Sequence, residues 1–417
     1  MLIARDLFLE RLIQSRHTRL IKVVTGIRRC GKSFLLTRLF HKWLLENGVD
    51  ENHIIEISLE GLENRVFRNP EYTLSYIKGK ITDKEMHYII IDEVQLMEDF
   101  VEVLQSLLLV DNYDIYVTGS NSKFLSTDIA TEFRGRQMEI HLQPLTFSEF
   151  YGAKGGDKMD AWNEYINFGG LPQVVLLDDF TQKKSYLSNL YETVYLSDLL
   201  EHNKIRNDEG FRDTVRILAS QIGTPNNPGR ISKTFMSVEH KNISNKTITD
   251  YLRFLKEAFV TYECLRYDVK GRKYIGTETK YFFSDVGLRN SIIDFRQPEE
   301  THLMENVIYN ELKARGYGVD VGAVEIREFD ENGKEVRKKL EVDFVINRGS
   351  ERYYIQSAWQ MPTEEKMYQE SRPLKNIPDS FKKIIIEGRS MIPYHDNDGI
   401  LHLGLYDFLL KPEAINM

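Results

Sequence analysis

The feature that most constrains the fold is the run Gly26-Ile-Arg-Arg-Cys-Gly-Lys-Ser33, which matches G-x-x-x-x-G-K-[ST] at every fixed position. A short β-branched strand, Lys22–Thr25, precedes it, and a helical pattern begins at Ser33. Glycines at both ends of the run permit backbone angles that turn several amide N–H groups toward one point, next to the positive end of the new helix. The run therefore predicts a phosphate site at a strand-to-helix turn. The alternative is a glycine-rich turn that matches the pattern without binding phosphate.

The residues of this loop are predicted to surround the phosphates of a nucleotide. Lys32 would reach the β- and γ-phosphates, and the Ser33 hydroxyl would hold Mg²⁺. The side chains of Arg28 and Arg29 are not required by the loop mechanics and could instead contact the nucleotide or a neighbouring molecule. The full set of predicted nucleotide-binding residues is Gly26, Ile27, Arg28, Arg29, Cys30, Gly31, Lys32, Ser33 and Phe34.

A second element lies about sixty residues downstream, where an apolar strand beginning at Tyr88 ends in Asp92 and Glu93. A buried strand would deliver Asp92 to the carboxyl edge of the sheet, where it can bind Mg²⁺ together with Ser33. Glu93 would then orient or deprotonate the attacking water. Adjacent carboxylates after a strand are also common on surfaces. This pair therefore indicates a metal site only in combination with the phosphate loop.

The first 150 residues alternate short β-branched runs with helical patterns, which predicts an α/β domain with a parallel sheet. The helical pattern directly after the loop covers Ser33–Asn47. The predicted strands are Val23–Thr25, Ile54–Leu59, Tyr88–Ile91 and Ile115–Thr118.

These elements resemble the AAA-superfamily branch of P-loop ATPases. The resemblance implies a Walker A loop at 26–33, a Walker B strand ending in Asp92, Glu93 as the catalytic base, and ATP as the nucleotide. It also implies that the strand beginning at Ile115 is a sensor strand lying between the two Walker strands, with Ser120 or Asn121 sensing the γ-phosphate. The alternative is a polar strand-to-helix turn with a helix cap.

Two arginines follow in Glu132-Phe-Arg134-Gly-Arg136. An arginine that meets the γ-phosphate spreads the charge of the transition state, and AAA ATPases usually supply one from a neighbouring subunit. Arg134 and Arg136 are the candidates, which makes a homo-oligomer a possible assembly. The alternative for each is an ordinary solvated or ion-paired arginine.

The resemblance extends to a family of bacterial and archaeal AAA-type ATP-binding proteins with a C-terminal domain of uncharacterised function. The motifs that carry it, in order, are the loop at 26–33, Ile91-Asp-Glu-Val-Gln95, Thr118-Gly-Ser-Asn121, Gly135-Arg136, Gln143-Pro-Leu-Thr-Phe-Ser-Glu-Phe150 and Phe168-Gly-Gly-Leu-Pro172. They imply three domains: an ATPase at 1–150, a helical lid and winged-helix region at 151–295, and a last domain at 296–417.

The winged-helix prediction rests on 231–285. Ser244 can cap a helix whose apolar stripe runs from Ile248 to Phe259, and a basic hairpin follows at 268–280. Lys and Arg number eleven in 231–290, against seven Asp and Glu, whereas the whole chain has a net charge of −8. This local excess suggests contact with DNA through helix and wing. The alternative is a lid or a contact to a protein partner.

The last region resembles the PD-(D/E)xK nuclease-like fold, a restriction-endonuclease-like α/β architecture. Glu305 lies in a helical pattern, Asp343 on one strand, and Gln356 and Ala358 on the next. Gln356 and Ala358 fall where that fold needs a second carboxylate and a lysine, so nuclease activity is not expected. Glu305, Asp343 and Gln356 are the possible remnant of a metal site.

Composition limits the classes of protein and of site that remain. The chain has 417 residues, 55 Lys and Arg against 63 Asp and Glu, and only two cysteines, which lack metal-ligand spacing. No apolar run approaches the ~18 residues of a membrane helix, so a cytoplasmic protein without a membrane partner is expected. The predicted function is Mg²⁺-dependent ATP hydrolysis that drives a conformational switch of the C-terminal modules on DNA or a protein. The alternatives are an ATP-regulated DNA-binding protein and, less favoured, a nuclease.

Overall fold

The computed structural model describes residues 2–119, 133, 135–239, 243–296, 299–329, 331 and 333–417. Ser120, Asn121 and Arg134 lie outside these residues, so their predicted roles stay predictions. The chain divides into two compact units. The first contains 1–145 and 257–259, and the second contains 146–256 and 260–417. The division into three domains stays a prediction.

The first unit is built on a parallel sheet with strand order β2-β3-β4-β1-β5. Strands β1 and β3 are buried at every residue, as expected of central parallel strands covered on both faces. The strands are β1 (Ile21–Thr25), β2 (Ile54–Ser58), β3 (His87–Asp92), β4 (Tyr113–Thr118) and β5 (Gln137–His141).

Strand β4 lies between β1 and β3, because Val24 pairs with Thr118 on one side and Ile91 pairs with Val117 on the other. The predicted position of the sensor strand between the two Walker strands is therefore confirmed. Parallel pairing also brings the carboxyl ends of β1, β3 and β4 to one edge of the sheet. Asp92 and Thr118 thus end neighbouring strands next to the loop that follows β1.

The helix predicted after the loop is confirmed to within one residue at each end. It begins as α2 (Lys32–Phe34), continues through a π-helical segment (Leu35–Phe40) and ends as α3 (His41–Glu46). The other helices described in this unit are α1 (Asp6–Gln14), α4 (Pro70–Lys80) and α5 (Phe100–Leu108), with 3₁₀ turns at Glu51–His53, Arg65–Arg68 and Val94–Leu96.

The second unit begins with a long series of helices and closes with helices packed on a second sheet. Its described helices are α6 (Phe147–Lys154), α7 (Lys158–Phe168), α8 (Pro172–Val175), α9 (Phe180–Leu190), α10 (Ser197–His202), α11 (Asp208–Ser220), α12 (Pro228–Thr234), α13 (Asn245–Glu257), α14 (Val286–Ile292), α15 (Glu300–Ala314), α16 (Glu364–Lys375) and α17 (Leu405–Leu410). π-Helical segments occupy Tyr191–Leu196 and Phe235–Glu239, and a 3₁₀ turn occupies Pro412–Asn416. Within the described part of the chain, no helix has both the length and the apolar character needed to cross a membrane.

The second sheet has the order β12-β13-β11-β10-β9-β8-β6-β7. Its strands are β6 (Thr261–Asp268), β7 (Lys273–Phe283), β8 (Gly318–Phe329), β9 (Glu335–Arg348), β10 (Glu351–Ala358), β11 (Lys382–Glu387), β12 (Tyr394–His395) and β13 (Leu401–Gly404). Strand β10 pairs antiparallel with β9 and parallel with β11.

The hairpin predicted as a wing forms, but it is part of this sheet. Strands β6 and β7 pair antiparallel, and β6 also pairs in parallel with β8, with Arg266 opposite Val321. Pairing with β8 satisfies backbone groups that a free-standing hairpin would leave to water. The basic residues of the hairpin therefore belong to the edge of an eight-stranded sheet.

Helix α13 confirms most of the predicted apolar stripe. The Ser244 hydroxyl accepts a hydrogen bond from the Thr247 N–H at 3.1 Å, and residues from Ile248 to Leu255 bury one face. The expectation that Phe259 continues this stripe is wrong, because the helix ends at Glu257 and Phe259 has φ 56°.

Candidate nucleotide site

The phosphate loop depends on glycine at both predicted positions. Gly26 has φ 140°, and a Cβ built on it would lie 2.0 Å from the carbonyl oxygen of Leu142. Gly31 has φ 101° and immediately precedes α2. Both residues occupy backbone conformations that side chains disfavour. The close approach of the loop to Leu142 thus requires the first glycine, and the entry into the helix requires the second.

Lys32 lies inside this loop, and its side chain is buried. Its ammonium donates hydrogen bonds to the carbonyl oxygens of Gly26 at 3.0 Å and Ile27 at 3.3 Å. Both acceptors are neutral, so the positive charge is held by dipoles of the loop itself. An anion bound within the loop would compete with these carbonyls for the same ammonium.

Asp92 connects the loop to the end of the sheet. Its Oδ1 accepts hydrogen bonds from the Ser33 hydroxyl at 2.7 Å and from the Thr118 hydroxyl at 2.6 Å. The two predicted metal ligands, Ser33 and Asp92, are thus in direct contact. Hydroxyl and carboxylate oxygens are the hard donors that Mg²⁺ prefers, so the residues present fit this ion.

Glu93 is buried and has a left-handed backbone, with φ 53° and ψ 48°. Its N–H donates to the Thr118 hydroxyl at 2.8 Å, and its carboxylate accepts from the amide of Gln95. A non-glycine residue in this conformation carries strain that the surrounding contacts must hold, and such strain is concentrated at functional sites. The Thr118 hydroxyl and the Gln95 amide thus hold Glu93 in this conformation, and its role as a base stays a prediction.

Thr118 is one of the residues that sequence reasoning missed. Its hydroxyl donates to Asp92 and accepts from Glu93, so one side chain aligns both carboxylate residues. The available signal was its position as the polar residue that ends β4, directly after the buried run 115–117. The predicted sensors Ser120 and Asn121 come after the intervening Gly119 and lie outside the described residues.

A buried arginine donates hydrogen bonds that stabilise the loop. Arg5 donates to the carbonyl oxygens of Cys30 at 3.1 Å and Gln143 at 2.7 Å. These partners are 25 and 138 residues away in the chain, so no local pattern could identify Arg5. Its hydrogen bonds join the loop to the segment after β5.

The side chains of the loop divide into two groups. Ile27 and Cys30 are buried, and burial raises the pKa of the Cys30 thiol, which therefore packs as a neutral group. Arg29 and Phe34 are exposed and Arg28 is half-buried. The predicted contribution of Ile27 and Cys30 to nucleotide binding is thus limited to their backbone, whereas the exposed side chains can meet a ligand.

Arg136 is placed far from the phosphate loop of its own chain. Its carbonyl oxygen accepts a hydrogen bond from the N–H of Ile21, at the start of β1, whereas the loop follows the end of β1. The five residues of β1 separate these two ends by roughly 16 Å. The exposed Arg136 is therefore not brought together with Lys32 and Glu93 within one chain.

In the second unit, the structure gathers a lysine–carboxylate cluster, formed by Lys280, Glu305, Glu341 and Asp343. The Lys280 ammonium lies 2.7 Å from oxygens of Glu305 and Glu341, and 3.9 Å from Asp343. Sequence reasoning identified Glu305 and Asp343 but missed Lys280, which arrives from β7. The third predicted remnant, Gln356, contacts the edge of this cluster through the Asp343 N–H at 3.4 Å and otherwise donates to Glu370 at 3.1 Å.

Burial and the charges of neighbouring groups shift the pKa values within the lysine–carboxylate cluster in different directions. Burial, reinforced by the charge of Glu305, raises the pKa of Asp343 well above its usual range. Burial also acts to raise the pKa of Glu305, but the Lys280 ammonium outweighs it and the pKa of Glu305 is lowered. Burial alone would lower the pKa of Lys280, whereas the three carboxylates raise it. The lysine is thus held charged between carboxylates.

The basic residues of α13 are partly neutralised by neighbouring acids. Arg253 lies 3.3 Å from Asp250, and Lys256 lies 2.9 Å from Glu263. Both pairs are on the surface, where such contacts contribute little to stability but reduce the local positive potential. The outer face of α13 is therefore less basic than its sequence indicates.

Comparison with known proteins agrees with the site in the first unit. Residues 18–151 match the family model described as an AAA domain, and residues 159–299 match a domain of unknown function, DUF8612. The loop, the parallel sheet and this match define the first unit as an AAA domain of the P-loop class.

Two relatives match nearly the whole chain. An uncharacterized protein of Haemophilus influenzae is 33% identical over 419 residues, which cover 98% of this chain and 99% of that protein. The uncharacterized protein MJ1544 of Methanocaldococcus jannaschii is 25% identical over 394 residues, which cover 90% and 82%. The chain belongs to the family of the Haemophilus influenzae protein. Among solved structures, the Walker-type ATPase PABY2304 of Pyrococcus abyssi aligns with a TM-score of 0.48 and 15% identity, covering 70% of this chain and 96% of that one.

Proposed function

We propose that the protein binds Mg-ATP at the loop 26–33 and hydrolyses it, and that hydrolysis changes the conformation of the second unit. The observation that carries the first part is the meeting of Ser33, Asp92 and Thr118 at one carboxylate oxygen, next to a buried Lys32. A glycine-rich turn without a ligand would have no need of this convergence.

Each residue has a distinct role in the proposal. The loop N–H groups and Lys32 bind the phosphates, and Glu93 accepts the proton of the attacking water. Thr118 fixes the position of Glu93 through its backbone N–H and the position of Asp92 through its carboxylate. Ser33 and Asp92 would hold Mg²⁺, which when bound neutralises charge that develops on the phosphates.

Phosphate release by the full chain tests this proposal. Lys32→Ala should lose nucleotide binding, whereas Glu93→Gln should retain ATP and lose turnover by ~10²–10⁴-fold, because only the proton acceptor is removed. Lys42→Ala, on the same continuous helix, and Glu71→Gln, on α4, change exposed residues and should behave as wild type. Equal rates in all five proteins would exclude hydrolysis at this site.

Any contribution of Arg136 to hydrolysis requires a second copy of the chain, since it lies at the opposite edge of its own sheet. We propose it as an arginine that acts in trans. Mixing inactive Arg136→Ala with inactive Lys32→Ala should then restore part of the activity, because each variant supplies the residue that the other lacks. No recovery, or full activity of Arg136→Ala alone, would contradict this role.

The switch is tested by hydrogen exchange on Glu93→Gln with and without ATP. We expect altered protection within 146–417 as well as around the loop, because a retained nucleotide should stabilise one conformation of both units. Protection that changes only within 1–145 would limit the protein to ATP hydrolysis without a switch.

The proposal does not extend to DNA cleavage. The Lys280 ammonium already neutralises Glu305 and Glu341, and neither Gln356 nor Ala358 supplies the second carboxylate or the lysine of a nuclease site. Plasmid DNA incubated with the protein and Mg²⁺ should stay intact. Nicking that disappears in Asp343→Ala would overturn this conclusion.

A further inference from the structure

A group of three potential metal ligands lies at the amino ends of β2 and β3. His53 immediately precedes β2, His87 begins β3, and Asp83 lies in the segment before it. The two strands are parallel neighbours with Ile54 opposite Tyr88, which places the two histidines side by side. The group is therefore at the edge of the sheet opposite to Asp92.

His87 carries the strongest indication of a ligand. Its side chain is completely buried, and its Nδ1 lies 2.8 Å from the carbonyl oxygen of Glu85. A carbonyl can only accept, so Nδ1 donates this hydrogen bond and Nε2 is the ring nitrogen left available to a metal. Among the described residues, Nε2 has no hydrogen-bond partner although it is buried. A buried nitrogen left in this state has a free-energy cost that a bound cation would remove.

His53 and Asp83 face the same point. Nε2 of His53 lies 2.8 Å from Oδ2 of Asp83, and the rings of His53 and His87 are 4.7 Å apart at their centroids. The Glu85 N–H donates to the other oxygen of Asp83 at 2.8 Å. The backbone N–H and carbonyl groups of Glu85 thus orient Asp83 and His87, as outer-shell partners of metal ligands commonly do.

We propose that His53, Asp83 and His87 bind one divalent transition-metal ion of the Zn²⁺ class. Their ligand atoms all lie within 4.8 Å of one another. Tetrahedral Zn²⁺ requires such atoms to be ~3.3 Å apart, which small side-chain rotations would achieve. Two imidazoles and one carboxylate suit Zn²⁺ rather than Mg²⁺, and three protein ligands leave a fourth position for water.

Binding follows a simple exchange. The metal replaces the hydrogen bond between His53 and Asp83 and takes a nitrogen lone pair from each histidine, while the proton of that hydrogen bond moves to Nδ1 of His53 or to solvent. The bound ion would tie the segment before β3 to the start of β2. It should therefore stabilise the first unit independently of nucleotide.

The test uses the untagged full chain, stripped with a chelator and kept free of nucleotide. Titration with Zn²⁺ should show one tight site per chain, Co²⁺ should give the absorption of a tetrahedral complex, and excess Mg²⁺ should not compete. The thermal unfolding temperature should rise with Zn²⁺.

The variants His53→Ala and Asp83→Ala change partly exposed residues, so their folding is expected to survive and is checked by circular dichroism. Each should lose affinity by more than the ~10–100-fold that loss of an outer-shell partner costs. His87→Gln, which retains bulk at the buried position, should lose it as well.

The matched control is His41→Ala. His41 also lies beside carboxylates, but both of its ring nitrogens are paired, with Glu56 at 2.6 Å and Glu51 at 3.3 Å. Its loss should leave Zn²⁺ binding unchanged. Absence of a stoichiometric site in the wild type, or wild-type affinity in His53→Ala and Asp83→Ala, would overturn the proposal.

Discussion

Lys32 in the first unit and Lys280 in the second are both buried, but their surroundings differ in charge. Lys32 donates to two neutral carbonyls of a loop, whereas Lys280 donates to the carboxylates of Glu305 and Glu341. An ammonium held by dipoles still attracts an anion, and one matched by carboxylates does not. A buried lysine therefore indicates a phosphate site only when its partners leave its charge uncompensated.

The largest expected effect on stability comes from removing Lys280, whose charge is compensated by carboxylates. Lys280→Met leaves the buried carboxylates without a counter-charge, so the free energy of unfolding should fall by ~3–5 kcal/mol in chemical denaturation. Lys273→Met, on the exposed part of the same strand, is the control and should change it little. A loss below ~1 kcal/mol in Lys280→Met would show that the cluster does not behave as a buried ion pair.

Thr118→Val tests the hydrogen bonds that join Asp92 and Glu93 in the first unit. The change keeps the shape of the side chain but leaves the buried N–H of Glu93 without its acceptor, at a cost of ~1–3 kcal/mol. We expect turnover to fall about 10-fold or more while ATP binding persists, because the base loses its alignment. Thr73→Val is the matched control: Thr73 is equally buried in this unit and donates to the Phe67 carbonyl at 2.7 Å. Equal turnover in the two variants would remove Thr118 from the mechanism.

The pH dependence of stability tests the shared protons of the lysine–carboxylate cluster. Burial and the charge of Glu305 raise the pKa of Asp343, so the folded protein keeps a proton that the unfolded chain loses as pH rises above ~4. The contribution of this carboxyl to stability must then decrease as pH rises toward its folded-state pKa. Asp343→Asn cannot ionise and should gain stability relative to wild type over that range. Parallel pH profiles of the two proteins would contradict the assignment of the proton to Asp343.

The smallest effect concerns the DNA-binding alternative. Arg253 and Lys256 pair with acids on the surface, so Arg253→Ala and Lys256→Ala should change the free energy of unfolding by less than ~1 kcal/mol. We also expect no change in the binding of duplex DNA, titrated at rising salt with and without ATP. Reduced affinity with a shallower salt slope would instead place phosphates on α13 and favour an ATP-regulated DNA-binding protein.

Much of the first unit could be predicted from the sequence. The glycine spacing, the strand ending in Asp92 and the helix predicted from Ser33, which begins at Lys32, are local patterns, and the structure reproduces them to within one residue. The second unit was less predictable, because the pairing of β6 with β8 joins segments about fifty residues apart that carry no mutual signal. Local periodicity predicts a hairpin but does not predict what pairs with its outer edge.

The phosphate loop is predictable from local sequence alone, because its backbone conformations are allowed only by certain residues at fixed spacing. Tertiary structure alone decided which distant side chains meet there and elsewhere. Thr118 reaches Asp92, Lys280 reaches Glu305, and His53 lies beside His87 because of strand order and register. Those contacts depend on the pairing of whole strands and on packing, and neither is contained in the neighbourhood of any single residue.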